Sequence, residues 1–265
     1  LAQALLRSGF RVRCAEVPGM DDEPGGLYGA LDGAQAAALP MPALTQDGRI
    51  RSQRSDGISL DAVAQSVPAG AVIFGGGLSR VRAALEAHGL RVFDYLDDEA
   101  LTIENAVPSA EGALEIAMRE LPVTLCGSRC LVVGYGRIGK ALSARLHALH
   151  ARVTVSARKP ADRAAIESAG LRADRTGSYL HDLAQYDCIF NTVPAPVLRE
   201  EHLRTLRPDC LLIDLASGSG GLAENAPPAL HYIHALGLPG RCAPKTAAEA
   251  LKTMILRTLA EQEAV

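Results

Sequence analysis

Leu131-Val132-Val133-Gly134-Tyr135-Gly136-Arg137-Ile138-Gly139-Lys140 carries an apolar strand into three glycines spaced G-x-G-x-x-G and on into a helical run, residues 141–149. In such a turn the first glycine permits a tight reversal. The second lets the backbone approach a pyrophosphate, and the third lets helix and strand pack closely. The helix start offers unpaired N–H groups and the positive end of its dipole to the phosphates. Glycine-rich turns also arise for structural reasons alone, so the flanks decide. Residues 130–133 read as a strand before the turn, and residues 151–155 supply a second strand at the βαβ distance. The stretch therefore reads as a dinucleotide-binding unit, with Gly134, Tyr135, Gly136, Arg137, Ile138 and Gly139 as cofactor-binding residues.

The end of the second strand selects the dinucleotide. NAD sites usually place Asp or Glu about 20 residues past the first glycine, on the ribose 2′-hydroxyl. Here the chain reads Val155-Ser156-Ala157-Arg158-Lys159, with two cations and a hydroxyl but no carboxylate. Arg grips a phosphate bidentately. Ser156, Arg158 and Lys159 thus predict NADP as the cofactor; a solvated basic turn is the plainer alternative.

The chain has 265 residues, 48% of them hydrophobic, which is enough for two domains of ordinary size. A net charge of −3 and the absence of Trp argue against a nucleic-acid partner, which needs a basic face or stacking aromatics. No apolar run reaches the ~18 residues of a membrane span, and no signal peptide is evident. The six cysteines form no C-x-x-C pair and read as small buried hydrophobes. Cys126 and Cys130 lack nearby His ligands, so no metal site is expected, and the cysteine usage suits a reduced cytoplasmic protein.

The alternation of strands and helices predicts an α/β fold of two domains. Residues 1–108 read as a smaller N-terminal α/β domain for substrate or partner. Residues 109–245 read as a Rossmann-type, doubly wound parallel sheet entered by a linking helix over 109–121, with Ser109 as its N-cap. Residues 246–265 read as a C-terminal helix packing across the junction, opened by a T-x-x-E capping box from Thr246 to Glu249. In the second domain strands are expected at 130–134, 151–156, 187–191, 210–215 and 231–235, and helices near 137–149, 160–169, 199–206 and 246–260.

In the first domain strands are expected at 10–15, 71–74 and 90–95, an edge strand or extended segment at 39–44, and a helix at 79–88. Two roles are open to Gly75-Gly76-Gly77: close approach to a ligand, or a flexible βα turn. The chain opens on Leu1 in a helical pattern, where a βαβ fold places a strand first. The reading is that a first strand and its turn are missing from this sequence.

Three strand ends of the second domain point at the cofactor crevice, where ligands of such sheets lie. Asn191, Thr192 and Val193 end one and suit ribose or adenine contacts; Ser217 and its glycines end the next and would line the nicotinamide region. Gly237-Leu238-Pro239-Gly240 follows the last. All are turn residues in any case. The seven histidines have no partners at ligand or triad spacing, and none is nominated as a general base; the catalytic residues stay unassigned.

Four segments resemble the family of dipicolinate synthase A subunits: Thr102-Ile103-Glu104-Asn105-Ala106-Val107-Pro108-Ser109-Ala110-Glu111-Gly112-Ala113, the glycine turn, Ile213-Asp214-Leu215-Ala216-Ser217, and Leu238-Pro239-Gly240-Arg241-Cys242-Ala243-Pro244-Lys245-Thr246-Ala247. The resemblance runs over essentially the whole chain. The family usually has Thr at Ser109, and continues the Asp-Leu-Ala-Ser run with Lys-Pro-Gly-Gly where this chain has Gly218-Ser219-Gly220-Gly221. The family's N-terminal Gly-Gly-Asp strand and turn are missing here.

The resemblance implies an oxidoreductase that forms pyridine-2,6-dicarboxylate from a dihydro or hydroxytetrahydro precursor on a branch of the lysine pathway. It also implies a place in the mother cell of sporulating bacteria, beside the flavoprotein-like B subunit of dipicolinate synthase. The cyclic dicarboxylate is then expected between the domains, one carboxylate at Asn105 and the Ser109 helix start, the other at Lys245 and the Thr246 helix start. A homo-oligomer is compatible with this reading. Two alternatives compete: a regulatory or scaffold protein that binds nucleotide, and a 2-hydroxyacid- or shikimate-type dehydrogenase. The latter needs a His–carboxylate or Lys–Asp pair, which is not found at a convincing place.

Overall fold

The computed structural model describes residues 1–218, 220–222 and 230–263. The chain divides into two compact units, residues 1–102 with 248–265, and residues 103–247. None of the described helices is long and apolar enough to cross a membrane.

The first unit holds helices α1 (Ala2–Arg7), α2 (Gly26–Leu31), α3 (Leu60–Ser66) and α4 (Arg82–Glu86), and strands β1 (Ala36–Ala38), β2 (Val72–Gly75) and β3 (Arg91–Asp94). The strands form one parallel sheet in the order β1-β2-β3. The strand period of two sorts its side chains. Ile73 and Val92 face a core with Val63, Leu78 and Leu85, while Val72 and Phe74 face a second with Tyr95, Leu101, Met254 and Ile255. The last two belong to the long C-terminal helix. The Gly75-Gly76-Gly77 turn is held from inside: the Asp94 carboxylate accepts from the N–H groups of Gly77 (2.9 Å) and Leu78 (2.5 Å). A Cβ on Gly76 would lie 2.5 Å from Met41, so close packing rather than ligand approach accounts for that glycine.

The second unit continues with α5 (Glu99–Glu120), which begins in the first, then β4 (Arg129–Val133), α6 (Arg137–Ala148), β5 (Arg152–Ala157), α7 (Pro160–Ser168), β6 (Arg172–Arg175), β7 (Cys188–Asn191), α8 (Glu200–Leu203), β8 (Leu211–Asp214), β9 (His231–His234), α9 (Leu238–Cys242) and the start of α10 (Pro244–Glu263), which from Ala248 on belongs to the first unit. Its six described strands are all parallel, in the order β6-β5-β4-β7-β8-β9. That is the doubly wound order, which reverses between β4 and β7 and opens a crevice there at the carboxyl ends. Helix α6 buries Gly139, Leu142, Ser143 and Leu146, the i, i+3, i+4, i+7 stripe of an amphipathic helix. Burying each of the two leucines contributes about 1.5–3 kcal/mol.

Several expectations are corrected. Residues 10–15 form no strand: their alternating pattern finds no ladder partner among the described residues, and Phe10 is exposed. Of the edge strand or extended segment expected at 39–44, the extended form is present, the Leu39 and Ala43 N–H groups donating to the Phe74 and Gly76 carbonyls (both 2.7 Å). The ladder strand itself is Ala36–Ala38, because two prolines remove donors from the later segment. The linking helix does not begin at Ser109. It begins at Glu99 and runs through Pro108, so Ser109 is an interior residue whose hydroxyl donates to the Asn105 carbonyl (2.7 Å).

Helix α10 starts at Pro244, and Glu249 pairs with Lys252 and Arg7 instead of closing a capping box on Thr246. The turn expected at 237–240 is largely the short helix α9. Ser219 of the glycine run after β8, and residues 264–265 of the expected C-terminal helix, lie outside the described residues.

Candidate functional site

The glycine turn joins β4 to α6 at the carboxyl end of the sheet, and each glycine has its own geometric reason. Gly134 has φ +100, and a Cβ there would lie 2.5 Å from Thr192 Oγ1. A Cβ on Gly139 would lie 2.2 Å from the Gly134 carbonyl oxygen, so α6 sits hard against the turn. Gly136 differs: nothing lies within 4 Å of the Cβ it lacks, and it is exposed as the N-cap of α6. Open space over Gly136 and a twelve-residue helix beginning beneath it form a cradle that a phosphate fits. Beside the turn, Lys140 Nζ lies 5.4 Å from the Tyr135 ring centre.

Strand β5 brings Ser156 to the turn, its carbonyl accepting from the Gly134 N–H at 3.0 Å. The Ser156 hydroxyl is buried and has no hydrogen-bond partner among the described residues. Arg158 and Lys159 follow, both exposed, and neither side chain makes a hydrogen bond or ion pair to a described residue. Their carbonyls are engaged instead, that of Arg158 by the Arg163 guanidinium (2.7 Å) and that of Lys159 by the Arg163 N–H (3.2 Å). Two unneutralised cations and an unsatisfied hydroxyl at this strand end fit a phosphorylated ribose.

Across the crevice, Thr192 Oγ1 donates to the Val133 carbonyl (2.9 Å), which fixes the β7 end against the turn. Asn191 is corrected from ligand contact to support. It is fully buried, its amide donates to Asp214 (2.8 Å) and to the Val193 carbonyl (3.1 Å), and its oxygen accepts from the Val193 N–H (3.1 Å). Val193 and exposed Ser217 remain at the crevice end of the sheet.

Sequence reading passed over the group that holds this end together. Asp214 is 1% exposed and accepts four hydrogen bonds. Asn191 and the Ala216 N–H reach one oxygen (2.8 and 3.0 Å), the Gly221 N–H and the Tyr232 hydroxyl the other (2.6 and 3.3 Å). Burial, with the Asp214 charge added, pushes the Tyr232 hydroxyl up to about 12, so it stays protonated and donating. The Ala216 carbonyl accepts from His234 Nε2 at 2.9 Å. The available signal was an Asp ending a β-strand ahead of a glycine run, a pattern that reads equally as a turn.

The candidate substrate residues fall on two helices, α5 and α10. Asn105 lies on α5 with its Oδ1 buried and unpartnered among the described residues. Ser109, inside α5, offers no helix N-terminus. Lys245 and Thr246 are exposed in the first turn of α10. Gly112 of α5 packs so closely on α9 that a Cβ would lie 2.7 Å from Cys242 Sγ and 3.2 Å from Leu238, which joins two of the motifs singled out in the sequence.

Among the described residues no cluster of His, Cys, Asp or Glu could hold a metal. Cys130, Cys188 and Cys210 are fully buried, and burial raises all three thiols, Cys130 to about 11 and Cys210 to about 12. They are inert core residues.

Residues 107–223 match the family described as D-isomer specific 2-hydroxyacid dehydrogenase, NAD binding domain. The dipicolinate synthase A subunit of Bacillus subtilis (strain 168) is 31% identical over 236 residues, covering 85% of this chain and 78% of the relative. The crystal structure of the dipicolinate synthase A subunit from Bacillus halodurans is similar at a TM-score of 0.78 and 25% identity, covering 87% of this chain and 81% of that one. That of the dipicolinate synthase A chain from Bacillus subtilis gives 0.78 and 28%, covering 96% and 83%. A transhydrogenase from Sinorhizobium meliloti, at 17% identity and a TM-score of 0.68 over 89% of this chain and 77% of that one, shares the fold.

Proposed function

The chain belongs to the family of dipicolinate synthase A subunits, and we propose on that premise that it is the NADP-dependent oxidoreductase component that forms pyridine-2,6-dicarboxylate. The substrate in this reading is dihydrodipicolinate or its hydroxytetrahydro precursor. The setting is the mother-cell cytoplasm of a sporulating bacterium, and the partner is a flavoprotein-like B subunit. The observation that carries the cofactor assignment is the strand end after β5, where Arg158 and Lys159 stand unneutralised and no carboxylate occupies the ribose position.

When bound, a nicotinamide would supply the hydride acceptor for oxidation of the substrate ring. The Gly136 backbone and the α6 N-terminus would hold the pyrophosphate, and Ser156, Arg158 and Lys159 the 2′-phosphate. Asp214 and Asn191 fix the loops that carry Ala216, Ser217 and Val193, so those backbones meet a ligand already ordered. For the substrate, Lys245 and the first turn of α10 at Thr246 offer positive potential to a carboxylate, and Asn105 keeps an unused acceptor. A dihydropyridine becomes aromatic as it loses a hydride and a proton. The chain's task is therefore orientation and exclusion of water, and no strong general base is required.

The runner-up is a nucleotide-binding protein that activates a catalytic partner. It draws on the engagement of Asp214, Asn191 and His234 within the fold, which leaves none of them for proton transfer. The test is an assay of dihydrodipicolinate with NADP⁺, using this chain alone and with the B subunit. Weak or absent turnover alone, restored by the partner, is expected. Full turnover by the lone chain would refute partner dependence. Normal turnover of the two-component enzyme with no nicotinamide present would refute the oxidoreductase assignment and favour the runner-up.

A further inference from the structure

At the amino end of the same sheet, away from the glycine turn, lies a second concavity of about 500 Å³. Its walls include Arg129, Arg152, Arg172, His147, Gln185 and Tyr186, and among the described residues no carboxylate lines it. The first residues of three neighbouring strands, β4, β5 and β6, are all arginines.

Register puts them on one face. Arg129 pairs with Arg152, and Arg172 pairs with Thr154, two residues along from Arg152. Paired residues of parallel strands, and residues two apart, project from the same side. With strands about 4.8 Å apart and a rise of about 3.3 Å per residue, the Arg152 and Arg172 Cα atoms stand about 8 Å apart. The outer pair stands about 12 Å apart by the same spacings.

None of the three guanidiniums makes a hydrogen bond or ion pair to a described residue. Asp187, the carboxylate that feels Arg129, is already held by Arg207 at 2.6 Å and by the Arg129 N–H at 2.7 Å. A chain of net charge −3 thus gathers around one groove a histidine and three arginines that no described carboxylate pairs with directly.

We propose that this groove binds a small polyanion carrying clustered phosphate groups, at a site separate from the dinucleotide turn. Guanidinium forks match phosphate oxygens bidentately. Three of them spaced over about 12 Å span two or more linked phosphates rather than one. The five-residue strand β4 puts about 16 Å between this end and the glycine turn, so one pyrophosphate cannot serve both.

The probe is inorganic pyrophosphate, titrated calorimetrically at low salt into the intact chain, R152Q/R172Q and G136A. Both arginines are exposed, so the double variant should keep the wild-type melting temperature and NADPH affinity. Its pyrophosphate affinity should fall on the order of tenfold or more, and G136A should retain a wild-type groove titration. Raising ionic strength should weaken the wild-type binding. Three results would overturn the proposal: no binding to the intact chain, equal binding by R152Q/R172Q, or loss of all binding in G136A alone.

Discussion

Two single-methyl substitutions, three residues apart in the glycine turn, should fail in opposite ways. In Gly139→Ala the new Cβ would stand 2.2 Å from the Gly134 carbonyl oxygen, a backbone atom that cannot swing aside. Helix α6 must withdraw by about 1 Å to restore ordinary contact. Overpacking of that kind costs about 1–3 kcal/mol, and a backbone neighbour puts it at the upper end. Alanine's better helix propensity returns up to about 1 kcal/mol, so a net loss of about 2 kcal/mol is expected. For a chain of this size that is a fall in Tm of about 4–8 °C.

Gly136→Ala meets nothing within 4 Å, and its φ of −78 and ψ of −164 suit alanine. Stability should hold or rise by about 0.4–1 kcal/mol through the unfolded state. Its methyl, however, occupies the space a phosphate would use, and loss of even one charge-assisted N–H contact at about 1.5–3 kcal/mol weakens binding tenfold or more. Calorimetric melting and NADPH fluorescence titration of both variants read the two effects separately. An intact melt with NADPH affinity within about twofold of wild type in Gly136→Ala would refute the claim that this turn cradles the cofactor.

Arg158→Ala should weaken NADP(H) by about 1–3 kcal/mol and leave NAD(H) unchanged; equal losses for both, measured by titration, would sink the 2′-phosphate assignment. Asp214→Ala strands the Ala216 and Gly221 N–H groups and the Asn191 amide. At about 1–3 kcal/mol per unsatisfied buried group, urea unfolding should register about 3–5 kcal/mol, and a loss below about 1 kcal/mol would show that the carboxylate does not hold this end of the sheet. Burial pushes the Asp187 carboxyl up, but the Arg129 N–H and the Arg207 guanidinium outweigh it and hold it below its ordinary value. Its stabilisation is therefore present above the unfolded value of about 3.9 and is lost as pH falls through the lower folded value. Wild-type stability should drop more steeply than that of Asp187→Asn on acidification, and parallel profiles would contradict this.

How much the sequence disclosed follows from which interactions are local. The glycine turn was legible because two of its glycines answer backbone demands, φ +100 at Gly134 and a 2.2 Å approach at Gly139, that no other residue meets. The strands around it were legible as apolar runs, since a parallel sheet buries both faces. Strand β6 was not, because Arg172-Ala173-Asp174-Arg175 is a polar edge strand that only its pairing with β5 defines. The start of α5 was hidden by Pro108, a helix breaker in isolation that a long packed helix tolerates. Phe10-Arg11-Val12-Arg13 alternates like a strand, yet a strand needs a partner that local sequence cannot supply. At the site, Asn191 is the right residue type for a ligand contact, and only its burial against Asp214 assigns it to support.

Hydride transfer to the nicotinamide is the central claim, and isotopic labelling addresses it directly. Dihydrodipicolinate deuterated at the ring carbon that loses hydride, incubated with this chain, NADP⁺ and the B subunit, should give dipicolinate together with reduced cofactor carrying the deuterium. Mass spectrometry of the recovered NADPH reads the outcome. Dipicolinate formed with deuterium released to solvent and none in the cofactor would contradict the account.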